Sequence, residues 1–144
     1  MLERTRARRQ AMQILYQREI TGDPVDGILE AESYSKEDGE LTEFCKELLL
    51  GVSEHQAGID ETLGAISEHW TVHRMPTVDR CILRLAAYEI LYLDEIPASV
   101  SINEAVEMAK VYGGEDSSKF VNGVLGKLAE QYVMAHPDPE GEDG

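Results

Sequence analysis

Cysteine, proline and aromatic residues are all scarce in this chain of 144 residues, and acidic residues outnumber basic ones 28 to 13. The two cysteines, Cys45 and Cys81, sit among core-type neighbours: Phe44 and Leu48 for the first, Ile82 and Leu85 for the second. That setting fits reduced, buried thiols better than a disulfide framework or a nucleophile. A chain of this length buries roughly 68–70% of its unfolded surface, so it needs neither metal nor disulfide to hold it. One domain is expected. No stretch approaches the ~18 consecutive apolar residues of a membrane span. The basic N-terminus is followed by Gln10, Gln13, Gln17 and Arg18 instead of an apolar segment, so no export signal is read there and a cytoplasmic location is expected.

Only five prolines occur, at positions 24, 76, 97, 137 and 139, and they punctuate segments that otherwise lack helix breakers. Leu2 to Ile20 predicts a first helix, ended by Thr21-Gly22-Asp23-Pro24, and Val25 to Tyr34 a weaker second. Leu41, Phe44, Cys45, Leu48, Leu49 and Val52 recur as one apolar stripe of an amphipathic helix. A shorter helix is expected around Ile59 to Trp70. Thr77 is placed to cap a helix carrying Val78, Ile82, Leu85, Ala86, Ile90 and Leu93, and Ser101 with Glu104 forms a capping box for the next. That helix aligns Ile102, Ala105, Val106, Ala109 and Tyr112 and closes at Gly113-Gly114. The last runs from about Ser117 to Met134, with Val121, Val124, Leu125 and Leu128 inward. No period-2 strand pattern and no internal repeat is found. The expectation is an all-α fold: a compact bundle of about seven helices over residues 1–135, then an acidic, disordered tail over 136–144.

The net charge of −15 is unevenly spread. The first 18 residues hold five arginines, at 4, 6, 8, 9 and 18, against Glu3 alone, a local +4 that leaves −19 on the other 126. The acidic total argues against indiscriminate binding to nucleic acid or anionic membrane, but not against a local basic site. On a helix Arg4 and Arg8 project together, with Arg9 and Arg6 turned roughly 100° and 160° from Arg8, so the four form a collar. Cations in the first turns oppose the helix dipole, so helix stability does not explain the cluster. Either the arm is solvated and balanced by the acidic body, or it grips phosphate, for which the planar guanidinium fork is suited. Tyr16, two turns below Arg9, supplies a stacking face in the second case and a core edge in the first.

A second anion site is read at the start of the last helix, from Glu115 to Gly123, where free backbone N–H groups meet the positive dipole end. Lys119 adds a charge there. Phe120 either enters the core or presents a ring, and Asp116 is a helix cap or a like-charge gate toward RNA. His69 and His73 have the i, i+4 spacing of a helical metal pair, yet no Glu follows His69 and no third ligand lies near, so no metal and no cofactor is expected. Gly113-Gly114 lacks the surroundings of a phosphate loop, and the carboxylates are spread over polar faces without an isolated pair. No catalytic residue is found and no enzyme is expected.

Four segments in order resemble one family. They are Arg8-Arg9-Gln10-Ala11-Met12-Gln13-Ile14-Leu15-Tyr16, then Ile82-Leu83-Arg84-Leu85-Ala86-Ala87-Tyr88-Glu89 with Pro97, then Ile102-Asn103-Glu104-Ala105-Val106-Glu107-Met108-Ala109-Lys110, and Lys119-Phe120-Val121-Asn122-Gly123-Val124-Leu125. Together they resemble the NusB family of transcription antitermination factors, from Arg4 to about Leu128. Residues 21–40 and the tail are individual to this chain. The resemblance implies two packed helical subdomains and a non-enzymatic role. In that role the factor pairs with NusE, also a small-subunit ribosomal protein, and binds the single-stranded boxA element of ribosomal RNA leader transcripts. The pair then joins an RNA polymerase antitermination complex.

By position, the resemblance places Arg4, Arg6, Arg8 and Arg9 in the RNA-binding segment and Tyr16, Tyr112, Lys119 and Phe120 near the RNA face. Asp116 falls at an acidic position that modulates RNA and partner engagement. The NusE side is expected on the helix carrying Asp79, Arg80 and Leu83, with His73 just before it. With −19 on the remainder, RNA binding without the partner is expected to be weak. Two alternatives share the same arm: a homodimeric interaction protein, and an RNA-binding accessory domain of the type fused to ribosomal RNA cytosine methyltransferases.

Overall fold

A breaker-free N-terminal segment makes the first helix. In the computed structural model, which describes residues 2–67 and 71–135, α1 spans Glu3–Thr21 and ends where Gly22 takes a left-handed φ of 80° and donates its N–H to the Arg18 carbonyl. α2 (Val25–Ala31) stops three residues before the expected end, because Glu32 turns left-handed and its N–H returns to the Ile28 and Leu29 carbonyls. α3 (Glu43–Ile66) is capped by the Thr42 hydroxyl, which accepts from the Cys45 N–H at 2.9 Å. The two helices expected across this stretch are therefore one. Gln56 holds the stripe position between Val52 and Ile59, half-buried and accepting from Arg18, so the helix has no reason to break.

A 3-10 turn at Val72–Arg74 leads to α4 (Thr77–Tyr92), α5 (Ala98–Tyr112) and α6 (Ser117–Ala135). The all-α expectation holds, with six α-helices and one 3-10 turn among the described residues in place of about seven helices. Two caps differ. Thr77 is the first residue of α4, with Pro76 before it and no side-chain cap. α5 starts directly after Pro97, so Ser101 and Glu104 lie within it and form no capping box. Ser101 instead donates to Glu89 at 2.8 Å, and Glu104 accepts from Thr5 and Arg8.

α1–α3 and α4–α6 form two halves joined through α4, which packs on α1, α3, α5 and α6. Every residue from Cys81 to Ile90 is buried as a result. One cluster of buried apolar residues runs through both halves, from Leu15 and Leu48 to Leu83 and Leu125. Gly51 allows the closest approach of α3 and α4, since a β-carbon there would overlap the Tyr88 ring. Tyr88, Tyr92 and His55 continue that contact as stacked rings, with centroids 4.1 Å apart for His55 and Tyr92. Cys45 and Cys81 are buried and unpaired, and burial pushes their thiols up to about 12 and about 11. Among the described residues no helix is long and apolar enough to cross a membrane.

Candidate nucleic-acid and partner interface

The inner face of α1 carries Ala7, Ala11, Ile14 and Leu15, and Arg8 lies in phase with it. Arg8 donates from Nε and Nη2 to the two oxygens of Glu89, each at 2.8 Å, and from Nη1 to Glu104 at 2.9 Å. Its side chain is only 3% exposed. Burial alone would lower its pKa, but the hydrogen bond and charge of Glu89, then those of Glu104, hold it above its ordinary value. This corrects the collar: Arg8 is enclosed and neutralised between α1, α4 and α5, so it is not presented to a phosphate.

The other arginines divide further. Arg6 Nη1 donates to the carbonyls of Asp38 (3.0 Å) and Glu40 (3.3 Å) and so fastens the loop between α2 and α3. Arg18 turns to Gln56 and Glu19, and burial sets its pKa below the ordinary value. Arg4 and Arg9 donate no hydrogen bond among the described residues, and each lies on an aromatic ring. Arg4 stands 4.5 Å from the centroid of Phe44, and Arg9 5.5 Å from that of Tyr112. Gln13 fixes Tyr112 by donating to its hydroxyl at 3.2 Å. A guanidinium seated on a ring keeps N–H donors for phosphate or a base edge, in Arg9 those of the terminal Nη groups, since its Nε is enclosed.

Tyr16 is 39% exposed and lines a cleft of about 230 Å³ with Gln13, Gln17 and Tyr34. Tyr112 ends α5, and the Gly113-Gly114 turn delivers the chain to α6. There Asp116 gives its carbonyl to the Phe120 N–H, while its exposed carboxylate makes no hydrogen bond among the described residues. Lys119 is exposed, and Phe120 is half-buried against the core. The structure thus brings Arg9, Gln13 and Tyr112 together, with the start of α6 next along the chain.

On the expected partner side, His73 is exposed in the 3-10 turn. Arg80 stands 3.1 Å from Glu19 and donates to the His73 carbonyl at 3.2 Å. Asp79 is buried, and its Oδ1 has no hydrogen-bond partner. Leu83 is wholly buried, which corrects its assignment as a contact: α4 is covered on that side by the rest of the bundle. Neighbouring Arg84 makes a two-pronged pair with Asp60 at 2.8 and 2.9 Å and reaches Glu19 at 3.0 Å. Burial again opposes its charge, but Asp60 and then Glu19 hold its pKa above the ordinary value. His69 and the tail from 136 lie outside the described residues, and no group of three metal-binding side chains occurs among those described.

Sequence reasoning misses Glu89, Glu104, Arg84 and Asp60 as members of two ion-pair networks built around the buried Arg8 and Arg84. The carboxylates are not all spread over polar faces, since Glu89 is 1% exposed. Its signal was an acid inside the apolar run Ile82–Ile90, where only a paired cation makes burial tolerable.

The chain matches known proteins along most of its length. The profile of the NusB family matches residues 5–130, from α1 into α6. The transcription antitermination protein NusB of Pelotomaculum thermopropionicum is 42% identical over 130 residues, which cover 90% of each chain. The structure of T. maritima NusB superposes with a TM-score of 0.79 at 36% identity, covering 98% of this chain and 97% of that one. A chain in the crystal structure of antitermination factors NusB and NusE in complex with double-stranded RNA gives 0.73 at 27% identity, covering 90% and 98%. On a match that spans the arginine helix, the central α4 and the α5–α6 turn, this chain is a member of the NusB family.

Proposed function

We propose that this chain is a non-enzymatic transcription antitermination factor that binds the boxA element of ribosomal RNA leader transcripts together with NusE. In this role it joins an RNA polymerase antitermination complex in the cytoplasm. The observation that carries the proposal is the pair Arg4 and Arg9, each seated on a ring with its hydrogen-bond donors unspent. Relatives named as antitermination proteins, and a neighbour solved with NusE and double-stranded RNA, support it. For this chain single-stranded RNA is the better fit, because the exposed Tyr16 offers a ring to an unstacked base and Tyr112 seats Arg9, while Arg4, Arg9 and Lys119 meet phosphates. Arg6 works at the edge of this face, Phe120 at its rim, and Asp116 modulates it by like charge. His73, which is exposed, and the half-buried Arg80 beside it are the candidates for the NusE contact.

The test is a fluorescence-anisotropy titration of a boxA-like RNA, its scrambled sequence and its duplex form, with and without NusE. Tighter binding of single-stranded boxA, strengthened by NusE, is expected. Equal or absent binding to all three RNAs with NusE present would overturn the proposal, and self-association that RNA fails to compete would replace it with the homodimer.

A further inference from the structure

We infer that the Asp38 carboxylate is a built-in competitor for RNA phosphate at Arg9, so that this residue sets how tightly the arginine arm binds; the inference rests on the RNA role proposed above. The loop between α2 and α3 carries Glu37, Asp38 and Glu40, in a chain already strongly acidic. Yet it is fastened onto the arginine arm, and the fastening is made by its backbone. Arg6 and Gln10 both donate to the carbonyls of Asp38 and Glu40, and the Gln10 amide oxygen accepts from the Thr42 N–H. Gly39 makes the fit: its φ is 88°, and a β-carbon there would stand 2.9 Å from Arg6 Nη1.

This clamp leaves the Asp38 side chain, 16% exposed, facing α1. Its Oδ2 accepts from Gln13 Nε2 at 3.3 Å and stands 3.9 Å from Arg9 Nε. Those two residues also hold Tyr112, so the carboxylate occupies the anion position where arginine, amide and ring converge. The pair is loose, because Arg9 Nε is enclosed yet has no hydrogen-bond partner. A phosphate oxygen able to hydrogen-bond the guanidinium directly makes the stronger contact. The backbone clamp does not depend on the carboxylate, so Asp38 can swing aside without the loop opening. By contrast the Asp116 carboxylate has no hydrogen bond or ion pair among the described residues.

The experiment compares boxA-like RNA binding, in the presence of NusE, by the wild type, Asp38→Asn, Asp38→Ser, Glu37→Gln, Arg9→Gln and the Asp38→Asn/Arg9→Gln double variant. Asp38→Asn is expected to tighten binding about two- to five-fold, the range set by releasing a partly exposed ion pair. Asp38→Ser, which lacks the amide, is expected to act alike. Glu37→Gln makes the same charge change one residue away, at an exposed side chain with no contact to the arm, and is expected to change affinity by less than half as much. The effect of Asp38→Asn should vanish when Arg9 is Gln. Equal gains from Glu37→Gln and Asp38→Asn, or a gain that survives the loss of Arg9, would overturn the competitor in favour of a diffuse field. Wild-type binding with no gain from either Asp38 variant would overturn the competitor alone. No RNA binding by any protein would overturn the RNA role and the competitor with it.

Discussion

Arg8 of α1 and Glu89 of α4 face each other as a two-pronged ion pair, both contacts 2.8 Å, with side chains 3% and 2% exposed. A buried pair of this kind stabilises little relative to apolar residues, but losing one partner strands the other charge in the core. Arg8→Met is therefore expected to lower stability by about 3–5 kcal/mol in urea unfolding. Adding Glu89→Leu should recover part of that loss, although Glu104 and Ser101 lose partners too. A loss below about 1 kcal/mol for Arg8→Met would show that the pair is open to water.

Gly51 makes a second tight demand. Its missing side chain lets the Tyr88 ring lie directly on α3, so Gly51→Ala forces the ring or the helix to move. Overpacking of this sort costs about 1–3 kcal/mol, and a rotated Tyr88 should also weaken its stacking with Tyr92. Thermal unfolding together with near-ultraviolet circular dichroism reads both effects. An unchanged tyrosine signal and melting temperature would contradict the close approach.

The cysteines give a pH prediction. Burial raises Cys45 to about 12 and Cys81 to about 11 from an ordinary 9.0, so the folded chain keeps protons that the unfolded chain releases. Their contribution to stability is fully present below pH 9 and is lost as pH rises through 11 to 12. The urea midpoint is expected to fall over that alkaline range. Neither thiol should react with a thiol reagent at pH 8 until the protein unfolds. Rapid labelling of the native protein would contradict this.

Removing Arg8 from the phosphate contacts lowers the salt dependence that a four-arginine collar would give. With Arg4, Arg9 and Lys119 as main contacts and Arg6 at the edge, the slope of log K against log salt for single-stranded RNA should be about −2 to −3. A slope near zero would take the arginines out of the mechanism.

The helices were legible because apolar spacing and the prolines are local signals. The continuity of α3 was hidden by Gln56, a polar residue at a stripe position whose partner Arg18 is distant in sequence. Ser101 and Glu104 have the spacing of a capping box, but their side chains are drawn inward by Glu89, Arg8 and Thr5. The arm was legible as a charge asymmetry, whereas its division of labour was not. Arg8 shares the phase of Ala11 and Leu15, a cue to burial, yet only the position of Glu89 on α4 makes burying that cation tolerable. Leu83 failed as a partner contact for a related reason: which side of α4 meets solvent depends on four other helices. Asp38 could not be linked to Arg9 from sequence, since a loop held by carbonyl contacts leaves no pattern.

The proposal that Arg9, not Arg8, meets the RNA is tested by titrating boxA-like RNA with NusE against wild type and Arg9→Gln, with urea unfolding on the same preparations. Loss of one charge-assisted contact predicts roughly ten-fold weaker binding with an unchanged unfolding midpoint. Wild-type affinity for Arg9→Gln, at unchanged stability, would rule out Arg9 as the RNA contact.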